Sequence, residues 1–199
     1  MSFTNETEKQ QFYMDKCREI VKNKELALGR KLTACVVTFG FQMNFKDSEK
    51  LMGILAEIGY DETDDEHADL VLYNTCTVRE HANLKIYGRL GYLSKIKQKN
   101  PEMIIGLCGC MMEEEHVVEK LNKSYRFVDI IFGTHNVFLL AELLYERFIS
   151  GHKIEDICPE DLSRDTVAIH SGFISVTPLL PTRTDMATFR SIGDVTENI

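Results

Sequence analysis

The 199-residue sequence has no tryptophan, only four prolines, and no run of about 18 apolar residues that would span a bilayer. It has no C-x-x-C pair, which removes zinc ribbons and thioredoxin-type redox motifs. It has neither G-x-G-x-x-G nor G-K-[ST], so no glycine-rich cradle for phosphates is present. Basic residues are outnumbered 31 to 23, for a formal net charge of -8. Affinity for a phosphate backbone comes from Lys and Arg releasing counterions, so this chain alone supplies little grip on nucleic acid. The acidic stretch 61–69 lacks the glycine and glutamate positions of an EF-hand and reads as a solvated loop. The first residues, Met-Ser-Phe-Thr-Asn-Glu-Thr-Glu-Lys, have no apolar core of a secretory signal, and a cytoplasmic location is expected.

Against these absences stand a 44% hydrophobic content, enough for an ordinary core, and six cysteines at 17, 35, 76, 108, 110 and 158. In a reducing compartment such cysteines serve metal or redox chemistry more often than stapling. Cys17 falls within a helical pattern and Cys35 within a strand pattern, and both read as buried core residues.

Residues 1–30 read as a charged N-terminal helical arm, packed loosely on the sheet domain. Leu32 to Val37 is a near-continuous apolar run, as expected of a strand covered on both faces. It leads into the loop 39–44, after which Asp47-Ser48-Glu49 opens a helix closed by Gly59. A second strand covers 70–73. Cys76 comes after it, and Thr77 and Glu80 have capping-box spacing at the start of a helix to about 99. Lys95, Lys97 and Lys99 suit that helix's carboxyl end and read as solvated. Strands over 103–107 and 127–132 alternate with helices over 113–121 and 134–148.

Strand–helix alternation repeated four times predicts an α/β fold: a parallel sheet of about four to five strands flanked by helices, flavodoxin-like or Rossmann-like, with an N-terminal helical arm and an irregular C-terminal tail. Three domains are expected: the arm at 1–30, a sheet domain at 31–150, and a linker and tail at 151–199, with one further strand at 173–176. The loops at 39–44, 74–77 and 108–112 come after strands and therefore share one edge of a parallel sheet, where ligands bind.

Cys76 and Cys110 sit on two of those loops. Gathered thiolates are soft ligands suited to iron–sulfur clusters or zinc. Cys108 is a further candidate, facing either the same way as Cys110 or the core. His81 and His116 would complete a zinc site, though a surface histidine on a helix is usually only that. Without more information, two reduced cysteines in loops is the default reading.

The motifs Thr38-Phe39-Gly40-Phe41-Gln42-Met43-Asn44, Asp47-Ser48-Glu49, Asn74-Thr75-Cys76-Thr77-Val78-Arg79-Glu80 and Cys108-Gly109-Cys110-Met111 resemble the N-terminal domain of the radical-SAM methylthiotransferases. The branch is that of the tRNA 2-methylthio-N6-isopentenyladenosine synthases. The resemblance runs from about residue 10 to about 150. It implies a flavodoxin-like sheet in which three cysteines, one per loop, hold an auxiliary 4Fe-4S cluster with one open iron that supplies or carries sulfur. It further implies S-adenosylmethionine cleavage on a separate barrel and tRNA as partner through a C-terminal domain. Cys76 and Cys110 match two of the three ligands; the first ligand position is Phe41 here. Residues 172–176 resemble the first barrel strand. Thr177-Pro178-Leu179-Leu180-Pro181 stands where the C-x-x-x-C-x-x-C loop would be, and no cysteine occurs after Cys158. The expectation is a truncated or diverged member, without its own S-adenosylmethionine site. The alternative is a non-catalytic α/β module that has lost the cluster and pairs with a full-length homologue.

Overall fold

In the computed structural model, residues 5–40, 42–76 and 80–157 are described, except for the side chains of 80–84. They lie within the first of two contact-defined units, Met1–Glu160 and Asp161–Ile199. The elements in chain order are α1 (Glu6–Leu28), β1 (Thr33–Phe39), α2 (Gln42–Ile58), β2 (Asp61–Glu62), β3 (Leu70–Thr75), α3 (Glu80–Lys99), β4 (Ile104–Gly109), α4 (Glu115–Ser124), β5 (Ile130–Phe132), α5 (Leu140–Ser150) and β6 (Ile154–Asp156). Two 3-10 turns, Cys110–Glu113 and Thr134–Leu139, precede α4 and α5.

All strand pairs are parallel, in the order β2-β1-β3-β4-β5-β6. The α/β fold expected from the alternation is present, and the sheet is wider than four to five strands. The two additional strands are short edges. β2 lies in the stretch read as an acidic loop, and β6 in the stretch read as linker. Neither has an apolar run to announce it. Backbone bonds hold them, with Asp61 N–H donating to Leu32 O at 2.9 Å and Ile154 N–H to Asp129 O at 2.8 Å. Brief, polar edge strands also blunt edge-to-edge association. The expected strand at 173–176 and the Thr77–Glu80 capping box involve residues outside those described.

β3 and β4 are buried along their whole length, as apolar runs covered on both faces should be. Alternate residues feed two cores. One face carries Ala34, Leu70, Leu72, Ile104 and Ile130 against α1, α2 and α5. The other carries Cys35, Val71, Tyr73, Ile105, Leu107 and Ile131 against α3 and α4. β4 approaches β3 closely at Gly106, where a Cβ would stand 2.3 Å from Leu72 Cδ2.

α1 is not the loose arm its charge suggested. Cys17 and Val21 are fully buried in the first core with Leu55, Ile58 and Tyr60. These are the helix's only two buried residues, a stripe too narrow to stand out among its charges. No described helix is both long and apolar enough to cross a membrane.

The amino edge of the sheet is held by charge. Asp129, at the foot of β5, is 6% exposed and accepts from Ile105 N–H at 2.8 Å. It also pairs with Lys97 of α3 and with Arg147 Nε and Nη2 of α5, the latter two at 3.0 and 2.8 Å. Lys97 is thus a half-buried tie between layers, not a solvated helix end. Burial pulls its ammonium below the ordinary lysine value, against the opposing effect of Asp129. Asp69, at the foot of β3, takes a two-point contact from Arg30, both at 2.7 Å, and Thr33 N–H at 2.9 Å. Burial alone would raise its carboxyl, but the Arg30 and Thr33 contacts outweigh it and hold the pKa below the usual value.

Replacing Asp129 removes one partner of a buried charge cluster and leaves two cations uncompensated, which costs about 3–5 kcal/mol. Asp129→Ala is therefore expected to shift the denaturant midpoint strongly down. A loss under about 1 kcal/mol, the range of exposed pairs, would show that the cluster does not tie the layers.

Candidate cysteine site at the sheet edge

β1, β3 and β4 end level. Phe39 pairs with Thr75, and Thr75 pairs with Gly109. The next residues along the three chains are Gly40, Cys76 and Cys110. The strand order reverses between β1 and β3, since β2 lies outside β1 while β4 to β6 run the other way. In open α/β sheets the carboxyl edge at that reversal is the crevice where ligands bind.

Two glycines shape the rim. Gly109 has φ +99, a conformation L side chains rarely adopt, and a Cβ there would lie 2.1 Å from Thr75 O. The glycine lets β4 close on β3 and then turn, so that Cys110 enters the 3-10 turn with Sγ 3.8 Å from Thr75 O. Gly40 makes room for Asn44, whose Cγ would be 2.5 Å from an added Cβ.

A neutral polar network fixes the first loop to the second. Asn74 is 2% exposed, and its Nδ2 donates to Asn44 O at 2.8 Å and Ser48 Oγ at 3.0 Å. Asn44 Nδ2 in turn donates to Asn74 Oδ1 at 3.5 Å and Thr75 O at 3.4 Å. Ser48 Oγ shares a 2.7 Å hydrogen bond with Thr38 Oγ1, and Thr75 Oγ1 donates to Cys108 O at 2.7 Å. Buried polar groups without such partners would cost roughly 1–3 kcal/mol each. These residues carry no reactive group, and their role was not read from the sequence. The available signal was an Asn-Thr pair closing an otherwise apolar strand.

The helix after β1 starts at Gln42, not at Asp47, so Asn44 sits in its first turn and Ser48 one turn on. That placement is what lets both reach Asn74.

Cys76 and Cys110 are half-buried at this edge. Cys108 is fully buried in the core on the α1, α2 and α5 face, where burial, with a smaller effect of Asp47, pushes its thiol up. Burial also raises Cys17 and Cys35, each to about 12. None of the five described cysteines is in a disulfide. His116 is exposed beside Glu114 at 3.7 Å, and the side chain of His81 lies outside the described residues. Among the described residues no three of His, Cys, Asp and Glu gather as a metal site. Position 41 is itself outside them, between Gly40 and Gln42 of the same rim. The donors therefore do not fit a cluster held by three thiolates: two cysteines are at the rim, the third matching position is phenylalanine, and Cys108 faces the core.

Comparison with known families matches residues 33–133, from the first residue of β1 to the glycine after β5, to the Uncharacterized protein family UPF0004. The chain belongs to this family. It is 62% identical over 144 residues to a tRNA-2-methylthio-N(6)-dimethylallyladenosine synthase of Lachnoclostridium phytofermentans, covering 72% of this chain and 32% of that protein. Proteins of the same name match at 49% over 153 residues in Acetivibrio thermocellus, covering 76% and 32%, and at 49% over 134 residues in Clostridioides difficile, covering 67% and 28%. The chain thus spans about a third of the length of these curated relatives. The methylthiotransferase resemblance carried by the loop motifs is borne out.

Gly109→Ala is expected to destabilise the fold by at least about 1–3 kcal/mol, the usual cost of a forced left-handed residue, because the methyl also strikes Thr75 O. Thermal unfolding measures it, and an unchanged midpoint would mean that β4 does not close on β3 as described.

Proposed function

We propose that this chain is the N-terminal domain of the tRNA methylthiotransferase lineage, the enzymes that add a methylthio group to isopentenyladenosine beside the anticodon, and that its working edge is the rim carrying Cys76 and Cys110. The observation that supports this most is the level ending of β1, β3 and β4, after which the chain continues directly into Gly40, Cys76 and Cys110. In the family's chemistry an auxiliary 4Fe-4S cluster at such a rim supplies or carries sulfur. What this chain's own residues do there is narrower. Asn44, Asn74 and Ser48 hold the first two loops in fixed relation, Gly109 brings the third against them, and Cys76 and Cys110 stay partly exposed at the rim.

Phe41 favours a second reading for this particular chain: a domain that has given up the cluster and serves as a non-catalytic partner module. A benzyl group cannot ligate iron, and two thiolates leave half of a cubane's iron positions without a protein ligand. The partner in either reading is a larger methylthiotransferase assembly that acts on tRNA and S-adenosylmethionine, and the compartment we assign is the cytoplasm. The net charge of -8 agrees with tRNA being gripped by parts other than this domain.

Anaerobic iron–sulfur reconstitution of this chain beside Phe41→Cys separates the readings. The variant is expected to retain about four irons per chain with the matching sulfide and absorption, and the parent none. A parent that holds a stable cluster would overturn the partner-module reading. A variant that holds no iron would overturn the placement of the site at this rim.

A further inference from the structure

We infer that Cys76 and Cys110 form a redox-active pair that a low-molecular-weight disulfide of the glutathione class closes into an intramolecular disulfide. The two residues each come directly after a member of a paired position, Thr75 and Gly109, on adjacent parallel strands. Up to that pair such strands lie about 4.8 Å apart, and a disulfide spans roughly 4.4–6.8 Å between Cα atoms. Cys110 Sγ is 3.8 Å from Thr75 O, in a chain whose described peptides are all trans. A carbonyl oxygen lies about 2.8 Å from the next Cα in a trans peptide, so this sulfur is within about 6.6 Å of the Cys76 Cα. Closure of the pair requires side-chain rotation that brings the two sulfurs to bonding distance.

Selectivity comes from position. Cys17, Cys35 and Cys108 are at most 2% exposed, which shuts them off from a small disulfide. The attacking species in exchange is the thiolate, and it needs access. Among the described cysteines, only Cys76 and Cys110 combine a rim position with partial exposure.

The chemistry balances without a metal. The Cys110 thiolate attacks one sulfur of the small disulfide, whose S–S bond breaks and releases one small thiolate. The Cys76 thiolate then attacks Cys110 Sγ and expels the second. Two protein thiols are oxidised, one small disulfide is reduced to two thiols, and the two protons pass from protein to released thiolates. Closure also withdraws both rim sulfurs from any soft metal. The inference does not depend on the methylthiotransferase reading.

The test uses the full reduced chain, exposed to oxidised glutathione, blocked with an alkylating reagent and mapped by peptide mass. The expected product is a Cys76–Cys110 cross-linked peptide, with Cys17, Cys35 and Cys108 alkylated only after denaturation. In Cys76→Ser, where the resolving thiol is gone, glutathione is expected to remain on Cys110. A wild-type chain carrying glutathione on both residues without a cross-link would overturn the inference, as would pairing of either residue with Cys158 or Cys108. A Cys76→Ser chain with no adduct on Cys110 would overturn the order of attack.

Discussion

Everything at the carboxyl rim depends on the register of three central strands. Phe39, Thr75 and Gly109 lie side by side across β1, β3 and β4. The period of side chains along a strand is two, so a slip of one residue would exchange the core faces of the entire strand. Both faces of β3 and β4 are covered by helices. The register is therefore fixed by packing on both sides, and the loop positions inherit it.

The two edges of the sheet use different physics. At the amino edge, ionised groups join layers: Asp129 ties α3, β4 and α5, and Asp69 ties the α1–β1 connection to β3. At the carboxyl edge, the network around Asn44, Ser48, Asn74 and Thr38 is neutral and closes on itself. Among the described residues this network fixes the rim with neutral groups, and the two thiols there are its candidate ligands. Thiolate donors select metals by softness more than by field.

The parts of the fold with a hydrophobic signature were legible in the sequence. Leu70–Tyr73 and Met103–Leu107 announce buried strands, and alternation with helices gives a parallel sheet with its loops on one edge. Elements made by backbone pairing alone were not. Asp61–Glu62 and Ile154–Asp156 become strands because a neighbouring strand offers them an edge. The two-residue stripe on α1 was hidden among charges, and the start of α2 at Gln42 was hidden by the polar character of the loop motif. Among the cysteines, Cys76 and Cys110 could be placed by topology. The direction of Cys108 could not. Strict alternation puts Cys108 in the core with Ile104 and would put 110 on the same face, but the positive φ of Gly109 breaks that alternation and turns Cys110 to the rim.

The proposed site requires convergence: one residue from each of the loops after β1, β3 and β4 must reach a common point. Arsenite tests it without iron chemistry, because a single As(III) accepts three thiolates in a pyramid and its charge-transfer absorption and mass both count them. Titration of Phe41→Cys is expected to give one arsenic bound through three protein sulfurs, with the corresponding loss of three thiol protons, whereas the parent chain binds through two. A variant that still engages arsenic through only two sulfurs would contradict the convergence of the three loops.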